Sequence, residues 1–188
     1  MTLPDRRLAD LLEAFDERQR LKWLFFWGHI EASDEVTKAC LSQWYPSPFS
    51  VGEHHYASVE HWMMAEKARL FGDEEALGRV LASNHPGEAK AIGREVRGFD
   101  LDRWKAARYR IVVHGNVTKF STYPGLSRFL LTTGDRVLVE ASPVDRVWGI
   151  GLSADDTRAQ DPSLWRGLNL LGFALMEVRE RLRATSRP

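Results

Sequence analysis

From Asp5 to about Gln19, apolar residues recur at Leu8, Leu11, Leu12 and Phe15, the spacing of one helical face. Pro4 suits the first turn of that helix, where its missing N–H costs nothing. The next apolar run, LKWLFFWG, is short and nearly uninterrupted and predicts a strand. QWYPSPFSV sets two prolines two residues apart among aromatics, which predicts an extended, turn-rich loop.

A helical pattern resumes in YASVEHWMMAEKARLF, with Ser58 as the expected N-cap and Val59 near the start. A helix is expected over Glu74 to Ala82. Another opens around Pro86 and stops near Gly98. DLDRWKAARYRIVVHGNVTKFS reads as a long helix capped by Asp100 or Asp102, and YPGLSRFLLTTG as a short one ending at Gly134. RVLVEAS and DRVWGIG are strand candidates. Asp161 and Pro162 are expected to open a final helix with Leu164, Leu168, Leu171, Leu175, Val178 and Leu182 as its core stripe. The tally predicts an α+β chain, mostly helical with a small β-sheet. Residues 1–22 are expected to form a helical extension on a single domain over 23–185.

The 188 residues can bury a substantial core, and their 44% hydrophobic and 28% charged content is ordinary for a soluble protein. Lys+Arg equals Asp+Glu, which argues against a general binder of the nucleic-acid backbone but leaves a local basic groove open. Cys40 stands alone, so no internal disulfide forms. A reducing, cytoplasmic setting fits, with Cys40 as a small buried hydrophobe. The start carries charges through its apolar pattern and does not read as a signal peptide. No apolar run is long enough to span a membrane.

Glu60 and Lys67 lie seven residues apart, almost two turns, on one face of a helix that also carries Met63 and Met64. Neither has the other as its i+3 or i+4 neighbour, so this is no solvated ion-pair ladder. The residues alone leave two readings open: each charge finds a distant partner, or both line a partly apolar pocket that tunes their proton affinity. A second concentration runs from Glu140 to Gly172, where Trp148, Gly149 and Gly151 precede an acidic loop. Trp165, Asn169 and Gly172 are expected on one helical face. His54, His55 and His61 lack the spacing of a helical metal motif, and no metal or cofactor is expected. No G-x-S-x-G elbow supports a serine hydrolase.

Taken in order, LSQWYPSPF, the EHWMMAEK helix, Lys119-Phe120, LLTTG, EASPVDRVWGIG and WRGLNLLG resemble the motifs of the NADAR, or YbiA-like, family from about Phe25 onward. That resemblance implies an N-glycosidase. Its substrates would be phosphorylated ribosylamino-pyrimidines of early riboflavin synthesis, or ADP-ribose on a nucleobase such as guanine. The partner is then a small ribosyl or ADP-ribosyl molecule, with ADP-ribosylated nucleic acid as a further candidate. A non-catalytic ADP-ribose or nucleotide-binding module is the alternative.

On the same resemblance Glu60 falls on the family's catalytic Glu and Lys67 on its helix Lys. Asp145 is the second acid/base candidate, and Trp104, Lys119, Trp148, Gly149 and Asn169 are substrate-binding candidates. Gln43 and Trp44 stand where Asn and Phe are usual. Met64 and Glu66 replace common glutamines. Arg103, Arg108, Arg146 and Arg158 are available to a phosphate, and nothing in the sequence ranks them.

Overall fold

The computed structural model describes residues 3–30 and 35–185. Helix α1 spans Leu3–Asp16 and strand β1 Trp23–Phe26; a 3-10 turn follows at Lys38–Leu41, then strands β2 at Phe49–Val51 and β3 at His54–Tyr56. Helices α2 (Val59–Phe71), α3 (Glu74–Ala82), α4 (Pro86–Glu95), α5 (Leu101–Thr122) and α6 (Pro124–Thr132) come next. Strand β4 (Val137–Glu140), 3-10 turns at Thr157–Gln160 and Pro162–Leu164, and helix α7 (Leu170–Thr185) complete the order. The fold is α+β, mostly helical, in one domain, as the hydrophobic pattern predicts.

Strands β1 and β4 pair in parallel, Trp23 opposite Val137 through Phe26 opposite Glu140. Both ends of the ladder run on, since Val137 N donates to Lys22 O at 2.8 Å and Ala141 N to Phe26 O at 2.9 Å. Val137, Leu138 and Val139 are buried because helices cover the sheet, which explains their unbroken apolar run. Helix α5 packs against both α2 and α7, and α2 also meets α3 and α4. Leu11 buries α1 in the same core, and Arg7 grips Glu180 of α7 through paired bonds of 3.0 and 2.7 Å. No helix of the described residues is long and apolar enough to cross a membrane.

Side chains close several helix starts. Asp100, not Asp102, caps α5 by accepting from Arg103 N at 2.7 Å. Asp73 caps α3 through Ala76 N and also binds the Arg97 guanidinium, which holds its carboxyl below the usual carboxylate range. Ser58 occupies the N-cap position of α2, but its Oγ lies 2.8 Å from His61 Nδ1 instead of capping the backbone.

Three expectations are corrected. The proline-rich loop runs directly into a hairpin: β2 and β3 pair antiparallel, and their three-residue strands are too short to leave a periodic signal. DRVWGIG is a loop, not a strand. Asp145 Oδ1 accepts from Val147 N and Trp148 N, both at 2.8 Å, and winds the chain into a turn. The last helix begins at Leu170 rather than Asp161. The intervening N–H groups bond across to that loop: Arg166 N to Ile150 O at 2.9 Å, Leu168 N to Arg146 O at 3.1 Å and Asn169 N to Gly149 O at 3.2 Å. Leu164 and Leu168 are consequently exposed, and Trp165 and Asn169 precede the helix rather than share a face of it with Gly172.

Candidate active site

Glu60 sits in the first turn of α2. Its backbone N–H donates to Gln43 O at 3.0 Å, which seats the helix start against the LSQW turn. The residue is 2% exposed, and its Oε1 makes no hydrogen bond among the described residues. Burial raises its pKa to about 7; the Asp145 charge pushes the same way, while Lys90, a hydrogen bond from the Trp44 side chain and Arg94 oppose. Lys90 and Arg94 are one turn apart on α4. Of the nearby cations it is these two, rather than Lys67, that act on Glu60.

A second, partly buried carboxyl acts on the same space. Glu140 ends β4 with its N–H donating to Asn169 Oδ1 at 3.0 Å and its carbonyl accepting from Ile150 N at 2.9 Å. Its Oε2 is buried and makes no hydrogen bond among the described residues. Burial, then Asp145 and Glu60, raise its pKa to about 8 against the pull of Lys90. Asp145 thus does two things: one oxygen organises the turn, and its charge reaches Glu60, Glu140 and Arg108.

Close packing fixes this corner. Asn169 adopts φ 50° and donates from Nδ2 to Leu138 O at 3.0 Å, so its side chain bridges the end of β4. Gly149 admits no side chain, since a Cβ would lie 2.7 Å from Glu140 O and 3.1 Å from Asp145 O. Trp148 is buried, its N–H on Asp145 and its carbonyl accepting from Leu171 N at 3.1 Å. Of the sequence-derived binding candidates, Asn169, Trp148 and Gly149 therefore form the frame of the acid cluster.

Lys67 belongs to a separate half of the site. Its Nζ donates to Gly93 O at 2.6 Å and lies 4.3 Å from the Phe99 ring centre and 5.6 Å from that of Trp104. Burial lowers its pKa. Lys119 is fully buried; its ammonium donates to Cys40 O at 2.6 Å and Ser42 O at 2.9 Å, and burial lowers its pKa to about 7. It braces the turn carrying Gln43 and Trp44 from behind. Cys40 is a buried thiol in the core, as expected.

The structure also ranks the arginines. Arg158 is held by Asp156 at 2.6 Å, and Arg103 donates to Leu70 O at 3.0 Å. Arg108, half-buried on α5, interacts with the Asp145 charge. A cavity of about 830 Å³ lies between α1, α5 and α7 and includes Arg108 but neither Glu60 nor Glu140. No group of three or more His, Cys, Asp or Glu among the described residues forms a metal-binding set.

Glu140, Lys90, Arg94 and Trp44 are the site residues that the sequence left unassigned. Glu140 had a signal, since it opens the E-x-[SA] motif at the end of an apolar run. Trp44, 5.8 Å from Lys90 Nζ and flanked by His29 and His85 at 5.5 and 6.0 Å, was visible only as a departure from Phe. Lys90 and Arg94 carried nothing beyond the i, i+4 spacing of any helical pair.

A helical domain that sets a helix carboxyl, Glu60, against one at the end of a short parallel pair, Glu140, with cations acting on both, is a frame for acid–base chemistry. The chain belongs to the NADAR domain family, whose model matches residues 25–183. It is 40% identical over 164 residues to N-glycosidase R617 of Acanthamoeba polyphaga mimivirus, covering 85% of this chain and 95% of that protein. It is 34% identical over 145 residues to N-glycosidase Npun_R5314 of Nostoc punctiforme, covering 77% and 85%. The NMR structure of the E. coli protein YbiA superposes with a TM-score of 0.70 at 24% identity over 87% of this chain and 86% of that one, a likeness of fold.

Proposed function

We propose that this protein is an N-glycosidase that hydrolyses the C1′–N bond of a ribosylated amine or nucleobase, with Glu60 as its central carboxylate. The observation that carries this reading is Glu60 itself: buried, with one oxygen unpartnered among the described residues, and pushed toward the protonated form by burial and Asp145 against the pull of Lys90. Breaking the C1′–N bond builds positive charge at C1′, which a nearby carboxylate stabilises while it orients or deprotonates water. A proton affinity near neutrality suits that work.

Lys67, partly desolvated, supplies an amine that attacks C1′ of a ring-opened sugar to form an imine. Trp104 stacks on the leaving base beside it. Lys90 and Arg94 hold a substrate phosphate at the α4 edge, and Arg108 a second one where the substrate is a pyrophosphate. Asp145 sets the charge of the acid cluster. Lys119, Trp148, Gly149 and Asn169 act on the substrate through the frame they hold. Phosphorylated ribosylamino-pyrimidines and ADP-ribosyl-guanine both meet these requirements, and a cytosolic setting suits both.

The test is turnover of two substrates in parallel, the ribosylamino-pyrimidine phosphate and an ADP-ribosylated guanine oligonucleotide. Ribose phosphate release selects the first and ADP-ribose release the second. Release of neither, with nucleotide still bound, contradicts the enzyme reading and favours the binding-module alternative.

A further inference from the structure

Within the N-glycosidase reading, on which this inference rests, one buried group of the site has no role. Glu140 stands at the last position of β4, opposite Phe26 of β1. Three independent features hold it there: Asn169 Oδ1 on its N–H, Ile150 N on its carbonyl, and Gly149 pressed against that carbonyl with no room for a Cβ. None of these uses its carboxyl. Among the described residues Glu140 Oε2 is buried and unpartnered, as is Oε1 of Glu60, and the two carboxyls interact. A carboxyl that the backbone places so firmly, and that no donor claims, has a purpose other than structural hydrogen bonding.

We propose that Glu140 is a second catalytic residue, the acid that protonates the leaving nitrogen while Glu60 acts as the base. The groups that face it are Asp145 from its own loop, Glu60 from α2 and Lys90 from α4; β1 contributes uncharged Phe26. Burial first, and then the two like charges, keep its proton on near neutrality against the pull of Lys90. Water adds through oxygen to C1′ and gives one proton to the Glu60 carboxylate. The C1′–N bond breaks with its electron pair on nitrogen, and the Glu140 proton moves to that nitrogen. The proton on Glu60 then returns to Glu140, and both groups are reset. Where Lys67 attacks first, the same proton still reaches the leaving nitrogen, so the role holds for both routes.

The test is the pH profile of kcat for wild type, Glu140→Gln and Glu60→Gln. Wild type requires Glu60 ionised and Glu140 protonated, so activity rises through about pH 7 and falls through about pH 8. Glu140→Gln keeps the shape but not the proton: kcat drops about 100-fold with KM little changed, and the alkaline limb disappears. A Glu140→Gln enzyme within about threefold of wild type, or with its alkaline limb intact, overturns the proposal. If Glu60→Gln is inactive in that same case, only this inference fails and the glycosidase reading stands. If Glu140→Gln does not fold, infrared titration of wild-type protein decides: two buried carboxyls losing their protons near pH 7 and near pH 8 support the proposal, and a single one overturns it.

Discussion

The side chain of Asn169 stands in for a missing strand beside Glu140, accepting its N–H at 3.0 Å while donating to Leu138 O at 3.0 Å. One amide thereby fixes the end of β4, and with it the direction in which Glu140 leaves the sheet. Asn169→Ala leaves a buried N–H and a buried carbonyl unpartnered, and also loses a residue type that tolerates φ 50°. Stability by urea denaturation is expected to fall by roughly 2–4 kcal/mol. A variant as stable as wild type would show that the bridge is dispensable.

Glu60 imposes a cost that depends on pH. Its folded pKa of about 7 lies above the ordinary 4.5, so between these values the unfolded chain binds fewer protons and stability falls as pH rises. At alkaline pH the cost is on the order of 3 kcal/mol. Glu60→Gln removes this ionisation, so its Tm relative to wild type is expected to be higher near pH 8 than near pH 5. A Tm difference that does not change with pH contradicts the burial argument.

Lys119 holds the turn that carries Gln43 and Trp44 by donating to Cys40 O and Ser42 O. Lys119→Met strips both carbonyls of their donor, and a loss of roughly 1–3 kcal/mol is expected. Because the turn loosens while both carboxyls keep their own chemistry, KM should rise more than kcat falls. Direct contact of Lys119 with the reacting atoms would reverse that order.

Lys67 is tested by trapping. Borohydride added during turnover reduces an imine and leaves the sugar covalently on Lys67, visible as a mass shift on its peptide. Lys67→Arg keeps the charge and abolishes the adduct. Turnover without any adduct in wild type would assign Lys67 to holding the substrate rather than attacking it.

The helices were legible, α3 in its bounds and α5 in its Asp100 cap, and β4 was legible from its Val-rich pattern. The segment from Asp145 to Asn169 was not. Its backbone donors reach carbonyls some twenty residues away, as from Arg166 to Ile150 and Leu168 to Arg146, and periodicity reports only near neighbours. The candidate site divided in the same way. Glu60, Lys67, Trp104 and Asp145 were marked by motif, but Lys90 and Arg94 reach Glu60 only because α4 folds back along α2. Lys119 shows the converse, since a lysine in a recognised motif is committed to two carbonyls of the chain.

The central claim is that Glu60 performs chemistry, and the most direct measurement is the kcat of Glu60→Gln on whichever ribosylated substrate wild type turns over, with folding checked by circular dichroism. The account predicts a folded protein that still binds substrate and whose kcat is lower by about 100-fold or more. A folded Glu60→Gln protein with near wild-type turnover would contradict it and leave Glu60 as a structural carboxyl.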